Sequence, residues 1–310
     1  MKWTRTLLML APPAFLIATV PVAKHLWDAK YLNAYRPDCE VHYRIVSTEL
    51  HDGYVKEMFR YRVGDEQSIP VAAAIPKGPG PHPAIVFLYG IGMKMSISKE
   101  IAAPVTSFGF ALFIPEQYTQ GKRKIETPTL LKKGLALRQR AFMTGPEARY
   151  LVDTIVRRDD IDPKNIYLWG ASFGAMTGCR ALAEDNRFRA GILTVAGGDL
   201  LRLVRTTRYY NRASPLERVA ARMAVWFFDP LDPIKCIDKV APRAVLLQNV
   251  KDDTIIPHSS AQALYAAAHH PKRIVWYEGT HKHAERAVLE QAVKDGLLWL
   301  QQQSGTPFSQ

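Results

Sequence analysis

Only three cysteines, Cys39, Cys179 and Cys236, occur among 310 residues. None stands near another, so no C-x-x-C redox pair, zinc finger or disulfide-dense scaffold is encoded. At most one disulfide fits that count, and three structural thiols are the expectation. Acidic residues are also scarce: 29 Asp and Glu face 41 Lys and Arg, a net charge of +12. An anionic membrane surface, an acidic substrate and nucleic acid all suit that balance, but no nucleic-acid-binding motif accompanies it. The chain has no internal repeat, no phosphate loop and no His or carboxylate cluster at metal-ligand spacing, so neither metal nor organic cofactor is expected. Hydrophobic residues make up 47% and charged residues 23%, which excludes intrinsic disorder and suits a chain with a sizeable core.

Charge is absent altogether from Thr6 to Ala23, directly behind Lys2 and Arg5. A positive start followed by an apolar core is the pattern of an export signal. The run falls between the core of a cleaved signal and the ~20 residues of a membrane span. Pro12, Pro13 and Pro21 are expected to interrupt a spanning helix. Pro21 also makes Ala23 a poor cleavage point, so residues 1–23 read either as a signal peptide or as a signal-anchor. Both place the body outside the cytoplasm, periplasmic or held at the membrane. The competing reading is an N-terminal helix buried in the fold.

Residues 24–310 read as one domain. Val41–Val46, Glu57–Val63 and Pro70–Ile75 carry strand composition, with a turn at Gly64-Asp65. Beyond Pro81 the pattern changes to short apolar runs at Ala84–Leu88, Ala111–Ile114, Ile166–Trp169, Gly191–Val195, Ala244–Leu247 and Ile274–Tyr277. Helical periods such as Glu147–Arg157 and Glu285–Leu300 separate them. Apolar strands alternating with helices predict a mostly parallel central sheet flanked by helices, with the first strands extending one edge. Residues 199–230 interrupt the rhythm as a helical cap insertion.

One motif carries chemistry. Gly170-Ala-Ser172-Phe-Gly174 follows an apolar strand and opens a helical pattern, the context that a nucleophile elbow requires. With 19 glycines and 11 serines in 310 residues, such a pentapeptide is expected by chance about 0.04 times. A serine nucleophile needs a base, and the base an orienting acid, in the chain order Ser, Asp or Glu, His. Asp252 and Asp253 lie just beyond the strand that begins near Arg243, where parallel sheets keep their reactive groups. His281 lies just past the next strand, with His283 its near rival and His258, His269 and His270 more remote.

Gly170–Gly174, Asp253-x-x-x-Pro257 and Gly279-Thr-His281 together resemble an α/β-hydrolase of the serine esterase type. The likeness spans roughly residues 56–302 and is closest to dienelactone-hydrolase-like, acetyl-xylan-esterase-like and prolyl-oligopeptidase catalytic domains. In that pattern the acid lies four residues before the proline, which selects Asp253 over Asp252. The resemblance implies a triad of Ser172, His281 and Asp253, and an oxyanion hole built from the backbone N–H groups of Ile91 and Phe173. Tyr89-Gly90-Ile91-Gly92 stands where the family has His-Gly, a departure that blurs the substrate class. Glu116-Gln-Tyr is a second departure.

The expected activity is therefore hydrolysis of a small-molecule carboxylic ester through an acyl-enzyme. A prolyl-oligopeptidase-like peptidase is the first rival, although only residues 24–40 separate the N-terminal segment from the first strand, too few for a propeller. A catalytically inactive binding protein of the same fold is the second. In the insertion, Arg202, Arg205, Arg208 and Arg212 recur every three or four residues, the spacing of one basic helical stripe. One expectation makes the stripe a solvated face of a cap helix. The sharper one puts the cap over Ser172, with aromatic residues of the segment, which holds Tyr209, Tyr210 and Trp226-Phe-Phe228, lining the pocket and the arginines facing anionic lipid or an acidic substrate.

Overall fold

The computed structural model describes residues 13–64, 68–97, 99–117, 123, 129–281 and 285–304. Residues 1–12 of the N-terminal segment and His283 lie outside them. The chain forms a nine-stranded sheet in the order β1-β2-β3-β5-β4-β6-β7-β8-β9. β1 (Val41–Leu50), β2 (Tyr54–Val63) and β3 (Ile69–Pro76) make the antiparallel edge, and β3 pairs antiparallel with β5 (Ala111–Pro115). From β5 onward, β4 (His82–Leu88), β6 (Ile161–Ala171), β7 (Phe188–Thr194), β8 (Ala244–Val250) and β9 (Lys272–Tyr277) run parallel. β3, β5 and β8 are buried along their whole length, which is why they read as unbroken apolar runs.

Alternation along the strands feeds two cores. Ala84, Val86 and Leu88 of β4 face one side, where they meet α3 (Leu130–Ile155) and α4 (Phe173–Glu184). Ile85 faces the other, packed with α2 (Lys99–Ser107) and α9 (Arg286–Gln303). α8 (His258–Ala267) joins the first layer through Leu264.

Two expectations need correction, the break at Pro21 and the single basic stripe. A helix, α1, runs from Pro13 to Leu32 straight through Pro21; Pro21 is exposed, so the donor it lacks is lost on the solvent side. No helix among the described residues is long and apolar enough to cross a membrane. The basic stripe of the insertion is broken, because α5 (Leu200–Arg205) ends before α6 (Arg208–Arg212) begins. The Thr207 hydroxyl caps α6 by accepting from the Tyr210 N–H, and a new helix start there splits Arg202 and Arg205 from Arg208 and Arg212. α7 (Pro215–Phe228) follows; its Phe227 packs on Trp27 of α1, and its Phe228 joins a cluster with Tyr31 and Leu32 of α1, Ala141 of α3 and Phe173 of α4. All three cysteines are free thiols; Cys179 and Cys236 are buried with their sulfurs 3.8 Å apart.

Candidate active site

Ser172 occupies the one residue between β6 and α4. Its backbone sits at φ 51°, ψ −118°, a conformation strained for any residue with a Cβ and one that clusters at reactive sites. Glycines make the turn feasible. A Cβ on Gly170 would stand 2.5 Å from Ala175 Cα, and one on Gly174 would stand 2.1 Å from the Leu88 carbonyl oxygen. The Ser172 N–H donates to the Thr194 carbonyl at 2.8 Å, which fixes the elbow to the neighbouring strand.

The loops after β8 and β9 bring two more side chains to this point. Asp253 Oδ1 accepts from the Ile255 and Ile256 N–H groups at 2.8 and 2.7 Å. Its Oδ2 lies 2.7 Å from His281 Nδ1, and His281 Nε2 lies 2.9 Å from Ser172 Oγ. A carboxylate only accepts, so Nδ1 carries the hydrogen and Nε2 is left to accept from the serine hydroxyl. The Asp253 and His281 side chains are only 2% and 10% exposed, so little water competes for either bond.

The alternatives sit elsewhere. Asp252 is exposed, and its N–H donates to the Gly279 carbonyl at 3.1 Å, tying the two loops together. His258 stacks on Trp276 at 4.2 Å. His269 and His270 are exposed at the opposite end of β9 from His281.

The wall opposite the Ser172, His281 and Asp253 side chains begins with Gly90, where a Cβ would come within 3.1 Å of Ser172 Cβ. Ile91 follows in a turn closed by the Met93 N–H on the Gly90 carbonyl at 3.3 Å. Phe173 opens α4, so its N–H is one of the first-turn donors that lack a partner within the helix. Gly90, Ile91 and Phe173 line a cleft of about 260 Å³, open mouth included, completed by Gln117 and by Leu137, Arg140, Ala141 and Thr144 of α3. Reading the sequence missed that α3 wall. The Tyr89 hydroxyl accepts from the Gln117 N–H at 2.6 Å, and burial pushes its phenol above the ordinary range. Tyr89 is thus built into the wall behind the cleft. Among the described residues no group of three or more His, Cys, Asp or Glu is arranged to hold a metal ion.

The family model described as the prolyl oligopeptidase family matches residues 149–305, about half of the chain. No curated protein matches the sequence. Among solved structures, an acetyl xylan esterase from a Paenibacillus species is similar at 17% identity and TM-score 0.67, over 89% of this chain and 93% of its own. Acetyl xylan esterase 1 from a Thermoanaerobacterium species is similar at 16% identity and TM-score 0.69, with the same coverage of 89% and 93%. The acylaminoacyl peptidase of Pyrococcus horikoshii is similar at 17% identity and TM-score 0.62, over 80% of this chain but 41% of its own. At these identities the likeness is one of fold, the α/β-hydrolase fold.

Proposed function

The chain belongs to the prolyl oligopeptidase family, and from that premise we propose that it hydrolyses carboxylic esters through an acyl-enzyme. Ser172 is the nucleophile, His281 the general base and Asp253 the carboxylate that orients it. The observation that carries the reading is the pair of linked hydrogen bonds, 2.9 Å from Ser172 to His281 and 2.7 Å from His281 to Asp253.

In the first step Nε2 takes the Ser172 proton while Oγ attacks the ester carbonyl, and the carbonyl oxygen becomes negative. The N–H groups of Ile91 and Phe173 receive that charge, each donor worth about 3 kcal/mol at the transition state. The imidazolium then protonates the departing alcohol oxygen. In the second step water loses its proton to Nε2, attacks the acyl-serine and releases the acid, and the proton returns to Oγ. Asp253 stays ionised, stabilising the imidazolium in both steps.

A small acyl group suits the cleft, which is narrow between Ile91, Phe173 and the α3 side chains Leu137, Arg140 and Thr144. The likeness to two acetyl xylan esterases points the same way. The family match and the likeness to an acylaminoacyl peptidase favour peptide cleavage as a second reading. Fluorophosphonate labelling of the wild type beside Ser172→Ala, followed by aryl esters graded in acyl length and peptide anilides, separates the readings. Labelling that depends on Ser172, with acetyl esters turned over fastest, is expected. Preference for the anilides makes the protein a peptidase, and no labelling makes it an inactive scaffold.

We propose that the activity lies outside the cytoplasm, on the strength of the uncharged Thr6–Ala23 segment behind Lys2 and Arg5, the pattern of an export signal. Residues 1–40 fused to a reporter active only after export should give an active reporter, and cytoplasmic retention would remove this assignment.

A further inference from the structure

The cap insertion turns an apolar face away from the protein. Leu216, Val219, Met223 and Trp226 of α7 follow at steps of three and four residues, so they share one side of the helix. They are 79%, 54%, 56% and 36% exposed, and no residue of α7 is fully buried. Scattered exposed apolar residues need no explanation, but a continuous helical stripe marks a contact surface.

Positive charge borders that stripe. Residues 200–228 contain six arginines and a single acid, Glu217, and Glu217 is held in the capping box with Ser214. Arg222 Nε donates to the Tyr210 hydroxyl at 3.2 Å, and Arg205 stands beside the same hydroxyl. Arg218 lies 5.7 Å from the Tyr210 ring centre. Cations from α5 and α7 therefore gather around one tyrosine, with Arg208 and Arg212 exposed on the intervening α6.

The apolar end of the chain arrives at the same place. Trp27 of α1 packs 5.6 Å from Phe227, and Lys24 Nζ lies 5.0 Å over the Trp226 ring. From there α1 leads back into the uncharged Thr6–Ala23 segment, with Val22 and Leu26 exposed by 59% and 66%.

We propose that this face, the α7 stripe with its arginine rim and the adjoining exposed side of α1, docks on the surface of an anionic lipid bilayer. Leu216, Val219 and Met223 enter the acyl boundary while the arginines sit among the phosphates, the division of labour of an interfacial amphipathic helix. Charge complementarity selects this occupant over a second copy of the chain. A symmetric contact would set the arginine rim of one protomer against the same rim of the other. The proposal goes beyond ester hydrolysis and does not depend on it.

The test is co-sedimentation of the full chain with vesicles of phosphatidylcholine alone or mixed with phosphatidylglycerol. Binding to the mixed vesicles only is expected. Val219→Glu with Met223→Glu should abolish it. Arg208→Glu with Arg212→Glu should weaken it by about thirtyfold or more, at about fivefold per basic residue near an anionic surface. Ser172→Ala should bind like wild type, so binding is read separately from the hydrolase assignment. Val219, Met223, Arg208 and Arg212 are all exposed, and unchanged thermal melts would show that the two double variants keep the fold. Wild-type binding by both variants overturns the proposal, as does equal binding to both vesicle types. So does a wild-type dimer that the apolar variant converts to monomer in sedimentation velocity.

Discussion

Ser172 Oγ meets His281 Nε2 at 2.9 Å across 109 residues of sequence. Each partner is fixed by backbone before any substrate arrives: the serine by its strained elbow, the histidine by a loop whose Gly279 adopts φ 121°. We predict that Ser172→Ala, His281→Ala and Asp253→Asn each lower kcat by about 10³-fold or more with unchanged melting curves. Asp252→Asn and His283→Ala should leave turnover near wild type. A dead Asp252→Asn beside an active Asp253→Asn would move the acid by one residue, and steady-state kinetics on one aryl ester decides between them.

Much of this was readable before the structure, for a physical reason in each case. Strands such as β5 and β8 are covered on both faces, so their residues must be apolar without interruption. The elbow was readable because Gly170 and Gly174 each stand where a Cβ would strike backbone. The first half of α3 was not readable. Gly134, Gly145 and Pro146 look like breaks, yet the helix passes through all three, and with it went Leu137, Arg140 and Thr144 of the cleft wall. In the insertion, spacing alone merged α5 and α6 into one stripe, because a threonine at a cap looks the same in sequence as a threonine within a helix.

The close approach of β4 to α4 gives a prediction about folding rather than chemistry. A Cβ at position 174 would lie 2.1 Å from the Leu88 carbonyl oxygen and 2.7 Å from that of Tyr89. Neither atom belongs to a side chain that can swing away. Gly174→Ala should therefore destabilise the protein by about 3 kcal/mol or more, or leave it insoluble. Gly134→Ala, where a Cβ meets nothing within 4 Å, is the control and should melt at or above the wild-type temperature. Denaturant midpoints for the two variants check this.

Acid stability should depend on Asp160. Arg158 grips its carboxylate at 2.7 and 2.8 Å and also reaches Glu57 of β2 at 2.8 Å. Burial acts to raise the Asp160 carboxyl, but the hydrogen bonds and charge of Arg158 outweigh it and hold the group below its ordinary value. A depressed carboxylate stabilises the fold above its unfolded pKa of about 3.9. That contribution is lost as pH falls through the lower folded value. Asp160→Asn should cost up to about 1 kcal/mol at neutral pH, since the pair is partly exposed. The deficit should shrink towards zero once pH falls below that lowered folded value. Urea melts across pH 2–7 test it, and a deficit independent of pH would assign the loss to packing.

The last prediction concerns how α1 is held. Arg138 of α3 is fully buried, and its guanidinium donates to Asp28 of α1 and, through Nε at 2.9 Å, to the Phe227 carbonyl of α7. The rings of Trp27, Phe142 and Phe227 surround it at 4.2, 4.4 and 4.5 Å. One cation thus ties α1, α3 and α7 together, and Lys24 completes the Asp28 carboxylate at 2.6 Å. Removing one member of a buried ion pair leaves the other charge unsatisfied, at a cost of about 3–5 kcal/mol. Arg138→Met should show that loss, and Asp28→Asn combined with Arg138→Met should recover part of it. Both Lys24 and Asp28 lie beyond Ala23, so a chain beginning at Lys24 should keep the wild-type melt. A chain beginning at Lys30 should melt as low as Arg138→Met. If Arg138→Met melts like wild type, the buried cation contributes nothing to holding α1 on the body.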